Sequence, residues 1–177
     1  MCDDKRPYGY LSNNGADGYD LTNGATLNGT SAYVYDNFVF NNAVVGHDMR
    51  TFADGSLIGG LILPHDGVYS ADYFMQIRDN FTVSIEGPPM PGMALLLRTR
   101  DGRESFIVPN SAVFIHPDSI ESHMVLFKAK CGDQLSLVNN SITTAFSPFQ
   151  GSYQFYLDGL FANPSVNVSL AVNLISK

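Results

Sequence analysis

The sequence predicts an all-β sandwich, and three observations carry that prediction. The first is a period of two. Tyr69, Ala71, Tyr73, Met75 and Ile77 share one side of a segment whose other side is Ser70, Asp72, Gln76 and Arg78, with Phe74 the one large apolar residue among them. Alternate side chains lie on opposite faces of a strand, so this segment is half-buried sheet. The second is the regular recurrence of turn dipeptides between such segments. The third is negative: no segment shows apolar residues at i, i+3, i+4 and i+7 over three turns. About eight to ten strands separated by turns are expected, the pattern of a sandwich.

Residues 1–30 are dominated by Asn13-Asn14-Gly15, Asp17-Gly18, Asn23-Gly24 and Asn28-Gly29 and carry few apolar side chains. A flexible polar tail or stalk junction is expected there, with the domain proper over residues 31–177. Tyr33 and Tyr35 alternate, then Phe38 and Phe40 alternate in the opposite phase, so a bulge or turn is expected at Asp36-Asn37. Residues 57–63 form a short apolar run closed by Pro64-His-Asp-Gly67. The strand over 68–78 follows, then a short one over 81–85. Three prolines in residues 88–91 demand an extended loop rather than a central strand.

Residues 93–99 alternate again, and Asp101-Gly102 is a hairpin turn into 105–108. Residues 111–115 form a short apolar segment. Over 121–130, Val125, Phe127 and Ala129 oppose Met124, Leu126, Lys128 and Lys130. Gly132-Asp133 turns the chain into 135–138. Residues 152–157 read as an aromatic strand. Residues 166–175 are the cleanest strand of all, with Val166, Val168, Leu170, Val172 and Leu174 on one side. A strand this apolar near the C-terminus is expected at the centre of a sheet.

Bulk properties narrow the function. The chain has 177 residues, 45% of them hydrophobic, enough for one domain with a full core and no need of disulfides or metal. Only 15% are charged, below the usual ~25%. The surface therefore leans on Asn, Ser, Thr and Gly, as in secreted or particle-surface β proteins. The net charge is −7 and no Lys/Arg cluster exists, which argues against nucleic acid and against an anionic membrane. No apolar run is long enough to span a bilayer, and Met1-Cys2 does not lead into a signal-peptide core. Cys2 and Cys131 make no disulfide framework and read as free thiols, with Cys2 able to bridge copies in an oligomer.

The chemistry of a catalytic or metal site is missing from the pattern. His47, His65, His116 and His123 fall at no metal-ligand spacing. There is no Gly-x-Ser-x-Gly, no phosphate loop, and Asp17-Gly18-Tyr-Asp20 lacks the alternating ligands and closing acid of a calcium loop. Asp72, Glu86, Glu104, Asp118 and Asp158 are scattered, and no glycosidase pair can be placed among them. No enzyme, no cofactor and no metal are expected.

The order of the motifs resembles the TNF/C1q-like superfamily. Gly67, Tyr69, Ala71, Tyr73 and Met75 stand where that family has a Gly-x-Tyr-x-Phe-x-Tyr-x-Val strand, after Pro64. Ala71 departs from the family's aromatic. Residues 124–130, the Gly132-Asp133 turn and residues 134–138 match a later strand–turn–strand unit. Tyr153, Phe155 and Gly159 match a closing aromatic strand, followed by 166–175. The resemblance covers roughly residues 33–177, although the proline-rich loop has no counterpart in it. The polar, lightly charged texture is closer to the bacterial branch, which includes heads of collagen-like spore-surface glycoproteins and phage fibre tips. The resemblance implies a ten-stranded antiparallel jelly roll, a tight homotrimer, and a head displayed outside the cell or on a particle surface.

Nine tyrosines and twelve phenylalanines support the trimer independently, because several occupy both faces of their strands, as Tyr69 and Phe74 do. A sandwich buries one face of each sheet, so a second apolar face calls for a partner. The expected function is a non-enzymatic head that recognises a glycan or protein ligand, or builds a surface layer. Loops 86–92, 100–104, 116–122 and 139–150 are the expected ligand carriers, with Phe146, Phe149 and Tyr153 as candidates for sugar stacking. The alternatives are a monomeric carbohydrate-binding or carbohydrate-active sandwich and a purely structural shell component.

Overall fold

The computed structural model describes residues 5–13, 26–27, 33–34, 37–76, 92–114, 120–140 and 168–177. Among them every regular element is a strand. In chain order these are β1 (Tyr8–Asn13), β2 (Thr26–Leu27), β3 (Tyr33–Val34), β4 (Asn42–Gly46), β5 (Arg50–Asp54), β6 (Leu57–Ile62), β7 (Gly67–Gln76), β8 (Gly92–Arg98), β9 (Ser105–Ile107), β10 (Val113–Phe114), β11 (Ile120–Ala129), β12 (Gln134–Asn139) and β13 (Val168–Ser176).

Two antiparallel sheets form the sandwich. The first has five strands in the order β11-β7-β13-β1-β4, and the second has the order β10-β8-β12-β6-β5 with β9 also on β8. β9 pairs with Leu96–Arg98 and β10 with Gly92–Met93, successive halves of one edge of β8. Counted as one interrupted strand, they give each sheet five strands among the described residues. β2 and β3 pair with each other apart from both sheets.

The period of two decides what is buried. Tyr69, Ala71, Tyr73 and Met75 of β7 meet Val168, Leu170, Val172 and Leu174 of β13, Val125, Phe127 and Ala129 of β11, and Leu95, Leu97, Leu135 and Leu137 of the facing sheet in one core. As expected, the C-terminal strand is central: β13 lies between β7 and β1, over Val168–Ser176.

Three strands run against the sequence reading. Tyr8–Asn13, placed in the polar tail, is a strand between β13 and β4, paired from Tyr8↔Asn173 to Asn13↔Val168. The domain therefore starts well before residue 31. The reason is economy of contact: Leu11 alone enters the core, and Gly9 lets the strand lie against Leu61 and Met49. One inward side chain beside one glycine is too little for a period to register in the sequence. β4 and β5 were also not expected. Their link, Gly46-His47-Asp48-Met49, is a tight turn with φ of 54° and 70° at His47 and Asp48, carrying the chain from one sheet to the other. Positive φ there is usually signalled by Asn-Gly or Asp-Gly, and His-Asp gives no such signal. The expected strands over 81–85 and 152–157, the proline-rich loop and most of residues 14–30 lie outside the described residues.

Candidate functional site

The family-signature residues sit where the sandwich is tied together. Gly67 opens β7 opposite Ala129, and a Cβ there would collide with the Ser176 carbonyl oxygen. Tyr69 is fully buried and stacks on Phe127 with centroids 5.9 Å apart. Its hydroxyl donates to the His65 carbonyl at 2.8 Å. Burial raises its pKa, and the hydrogen bonding to the His65 backbone only partly opposes this. Tyr73 donates to the Ser111 carbonyl and meets the His123 ring edge-on at 5.7 Å. Burial pushes its phenol well above the ordinary range. Ser111 in turn accepts from the Leu95 amide at 3.0 Å, so Tyr73 links the first sheet to the edge of the second.

Gly132 and Asp133 form the turn between β11 and β12. Gly132 has φ of 90° and its amide donates to the Leu63 carbonyl at 2.7 Å. The buried Asp133 carboxylate accepts from the Lys130 amide at 2.8 Å and from the Arg100 amide at 3.2 Å. One carboxylate thereby fastens its own turn to the end of β8. These are structural roles. Phe155, Gly159, Phe146, Phe149 and Tyr153 lie outside the described residues. Of the expected ligand loops, 100–104 is described: it is exposed, and Asp101 faces Arg103 at 3.5 Å. Thr99 and the Arg103 amide hold the Asp101 carboxyl below its usual range. Among the described residues no three His, Cys, Asp or Glu side chains come together as a metal site.

The feature that calls for a partner is the outer face of the five-stranded sheet. The strand registers assemble it into rows. Leu126, Ser70, Asn173, Tyr8 and Gly46 stand side by side across β11, β7, β13, β1 and β4, and Met124, Asp72, Ala171, Tyr10 and Val44 form the next row. Ser122, Phe74, Ser169, Ser12 and Asn42 form a third. On β11, Ile120, Met124 and Leu126 are 65%, 62% and 61% exposed. Tyr8, Tyr10, Val44 and Ile175 add to the apolar surface. Among the described residues, Asp72 and Lys128 are the only charged side chains at outward positions of these strands.

The face has relief. Ser70, Asp72, Ala171 and Asn173 make a low floor over β7 and β13. Met124 and Leu126 stand along one side of it, Tyr8 and Tyr10 along the other. Isolated exposed apolar residues are ordinary, but here they border both sides of one small-residue floor, and exposed apolar surface gathered on one face marks an interaction surface. The opposite outer face is different. Ala94, Leu96 and Val138, which point away from the core of the second sheet, are buried within a single chain and pack with Ile107. The outward apolar residues of β8 and β12 are covered, whereas those of β11, β1 and β4 are open.

No protein-family model matches the chain, and no curated protein matches it. Among solved structures it is similar to the Eiger TNF structure from S. frugiperda, with a TM-score of 0.55 at 13% identity over 96% of this chain and 92% of that one. The fold is a TNF-like jelly roll. At that identity the likeness speaks for the fold and leaves residue roles to the chain's own geometry.

Of this surface the sequence pattern marks Phe74, on the face opposite Tyr69; Met124 and Leu126 are read there only as the side of their strand opposite Val125 and Phe127. Tyr8, Tyr10 and Val44 were missed because their strands were missed.

Proposed function

We propose that the chain is a non-enzymatic, homotrimeric head domain whose copies pack through the outer face of the β11-β7-β13-β1-β4 sheet. One observation carries the reading: this face leaves Ile120, Met124, Leu126, Tyr8, Tyr10 and Val44 open in a single chain with little charge around them, while Ala94, Leu96 and Val138 on the outer side of β8 and β12 are already covered. The relief favours a ring. The Ile120–Met124–Leu126 ridge at the sheet edge fits the low floor over β7 and β13 of the next copy, and head-to-tail docking of unlike surfaces closes by rotation. The TNF-like fold supports three as the closing number. The head is displayed outside the cell or on a particle, and its loops engage a glycan or protein ligand or build a surface layer. The low charge and the Asn- and Ser-rich composition support a bacterial spore surface or a phage fibre tip.

Size-exclusion chromatography with light scattering tests the assembly at micromolar concentration. A mass three times that of the chain is expected. A persistent monomer overturns the reading. A glycan array with a parallel hydrolysis assay tests the ligand: binding without turnover is expected, and turnover would sink the non-enzymatic reading.

A further inference from the structure

We infer that Asp72 couples assembly to proton uptake: the copies close most tightly with this carboxyl group protonated and loosen as it ionises. The inference rests on the trimer reading above and assigns that interface a regulator. Asp72 is exposed in a single chain and lies mid-row, between Met124 and Ala171. β11 presents Ser122, Met124 and Leu126 around it, β13 presents Ser169, Ala171 and Asn173, and its own strand presents Ser70 and Phe74. None of these titrates. The other ionisable groups at outward positions of the described strands are Lys128, opposite Val68, and the phenols of Tyr8 and Tyr10. Lys128 is four residues along β11 from Met124, about 13 Å at the usual strand rise.

In a free chain water solvates the carboxylate. A second copy laid over the floor removes that water. What it brings is the same face, whose described cations stand toward its ends: Lys128 at the far end of the ridge, and Arg6, whose guanidinium donates to the Ile175 carbonyl at 3.0 Å; His47 lies against the ring of Tyr8. A carboxylate stripped of water beside methionine, leucine and tyrosine side chains is disfavoured relative to the neutral acid. Assembly therefore draws a proton onto each Asp72. With three copies, the association constant falls by up to about a thousandfold per pH unit over the window in which the three protons are lost.

Sedimentation velocity of the full chain over a concentration series, at about pH 5 and about pH 8, tests this. The comparison is wild type against Asp72→Asn, with Asp72→Ser as a second neutral variant and circular dichroism to confirm folding. Because every histidine is kept in the proteins compared, the variants decide the matter rather than wild type alone. Wild type should need at least a tenfold higher concentration to assemble at the higher pH. Both variants should lose most of that response and assemble at lower concentration than wild type at the higher pH. A variant that keeps the full response overturns the inference. So does one that assembles more weakly than wild type at the higher pH, since that means a neighbour's cation pairs with the carboxylate. A wild-type trimer indifferent to pH overturns the inference alone, whereas a wild-type monomer at both values removes the trimer reading as well.

Discussion

Replacing Met124 and Leu126 together by serine should convert the assembled protein into folded monomers. These side chains are 62% and 61% exposed in a single chain. Full burial of a Leu or Met side chain is worth about 1.5–3 kcal/mol, so covering the open part of each is worth about 1–2 kcal/mol. A trimer covers six such side chains, which amounts to about 6–12 kcal/mol. At ~1.4 kcal/mol per decade this is roughly four to nine decades in the association constant. Interfaces realise only part of such area-based figures, because association also costs translational and side-chain freedom. Even half of the lower figure lowers the association constant by about two decades, which moves the midpoint concentration of a three-body equilibrium by about one. The outward position of both residues keeps the fold out of the perturbation, since Val125 and Phe127 fill the core side of β11. Light scattering at about 10 µM, with circular dichroism alongside, reads the outcome. A double variant that stays trimeric with an unchanged dissociation midpoint would refute the assignment of this face as the interface.

Three further outcomes follow from the packing. Tyr73→Phe removes the hydroxyl that donates to the Ser111 carbonyl and leaves that buried acceptor unsatisfied. A loss of about 1–2 kcal/mol in urea unfolding is expected. Asp133→Ala strips the acceptor from the Lys130 and Arg100 amides, and about 2–3 kcal/mol should be lost while the oligomeric state is kept. Alkali should unfold the protein through its buried phenols. Tyr69 and Tyr73 are both raised above the ordinary value of 10.0, so in the pH range above 10.0 the unfolded chain releases protons that the folded chain retains. Stability from these groups is thus complete below that value and declines as pH rises above it. Tyrosinate absorbance followed with circular dichroism should show these phenols ionising only as the fold is lost, and Tyr73→Phe should reduce the late-ionising fraction.

The strands legible in the sequence were those with several inward side chains. β7, β11 and β13 each place at least three apolar residues on one face, and their period stands out without any structure. β1 places Leu11 alone in the core, and β4 lies at the sheet edge with most of its residues exposed, so neither carries a usable period. The Asp101-Gly102 and Gly132-Asp133 turns were legible because glycine takes their positive φ, 70° at Gly102 and 90° at Gly132. The His47-Asp48 turn adopts the same backbone without glycine and was invisible. Of the candidate interface, β7 was readable as apolar on both faces through Tyr69 and Phe74, and Met124 and Leu126 were legible as one side of an alternating strand. The rest came from Tyr8, Tyr10 and Val44, which join the face only through pairing between residues far apart in the chain.

Local alternation is a property of neighbouring residues, so the chain alone determined that it folds as sheet, which side of each strong strand faces inward, and that its charge suits neither nucleic acid nor an anionic membrane. The tertiary structure decided which strands become neighbours and which outer face stays open. Met124 and Leu96 are equally apolar in the sequence. Leu96 is covered by its own chain and Met124 is not. That difference depends on long-range packing, which no pattern of adjacent residues encodes.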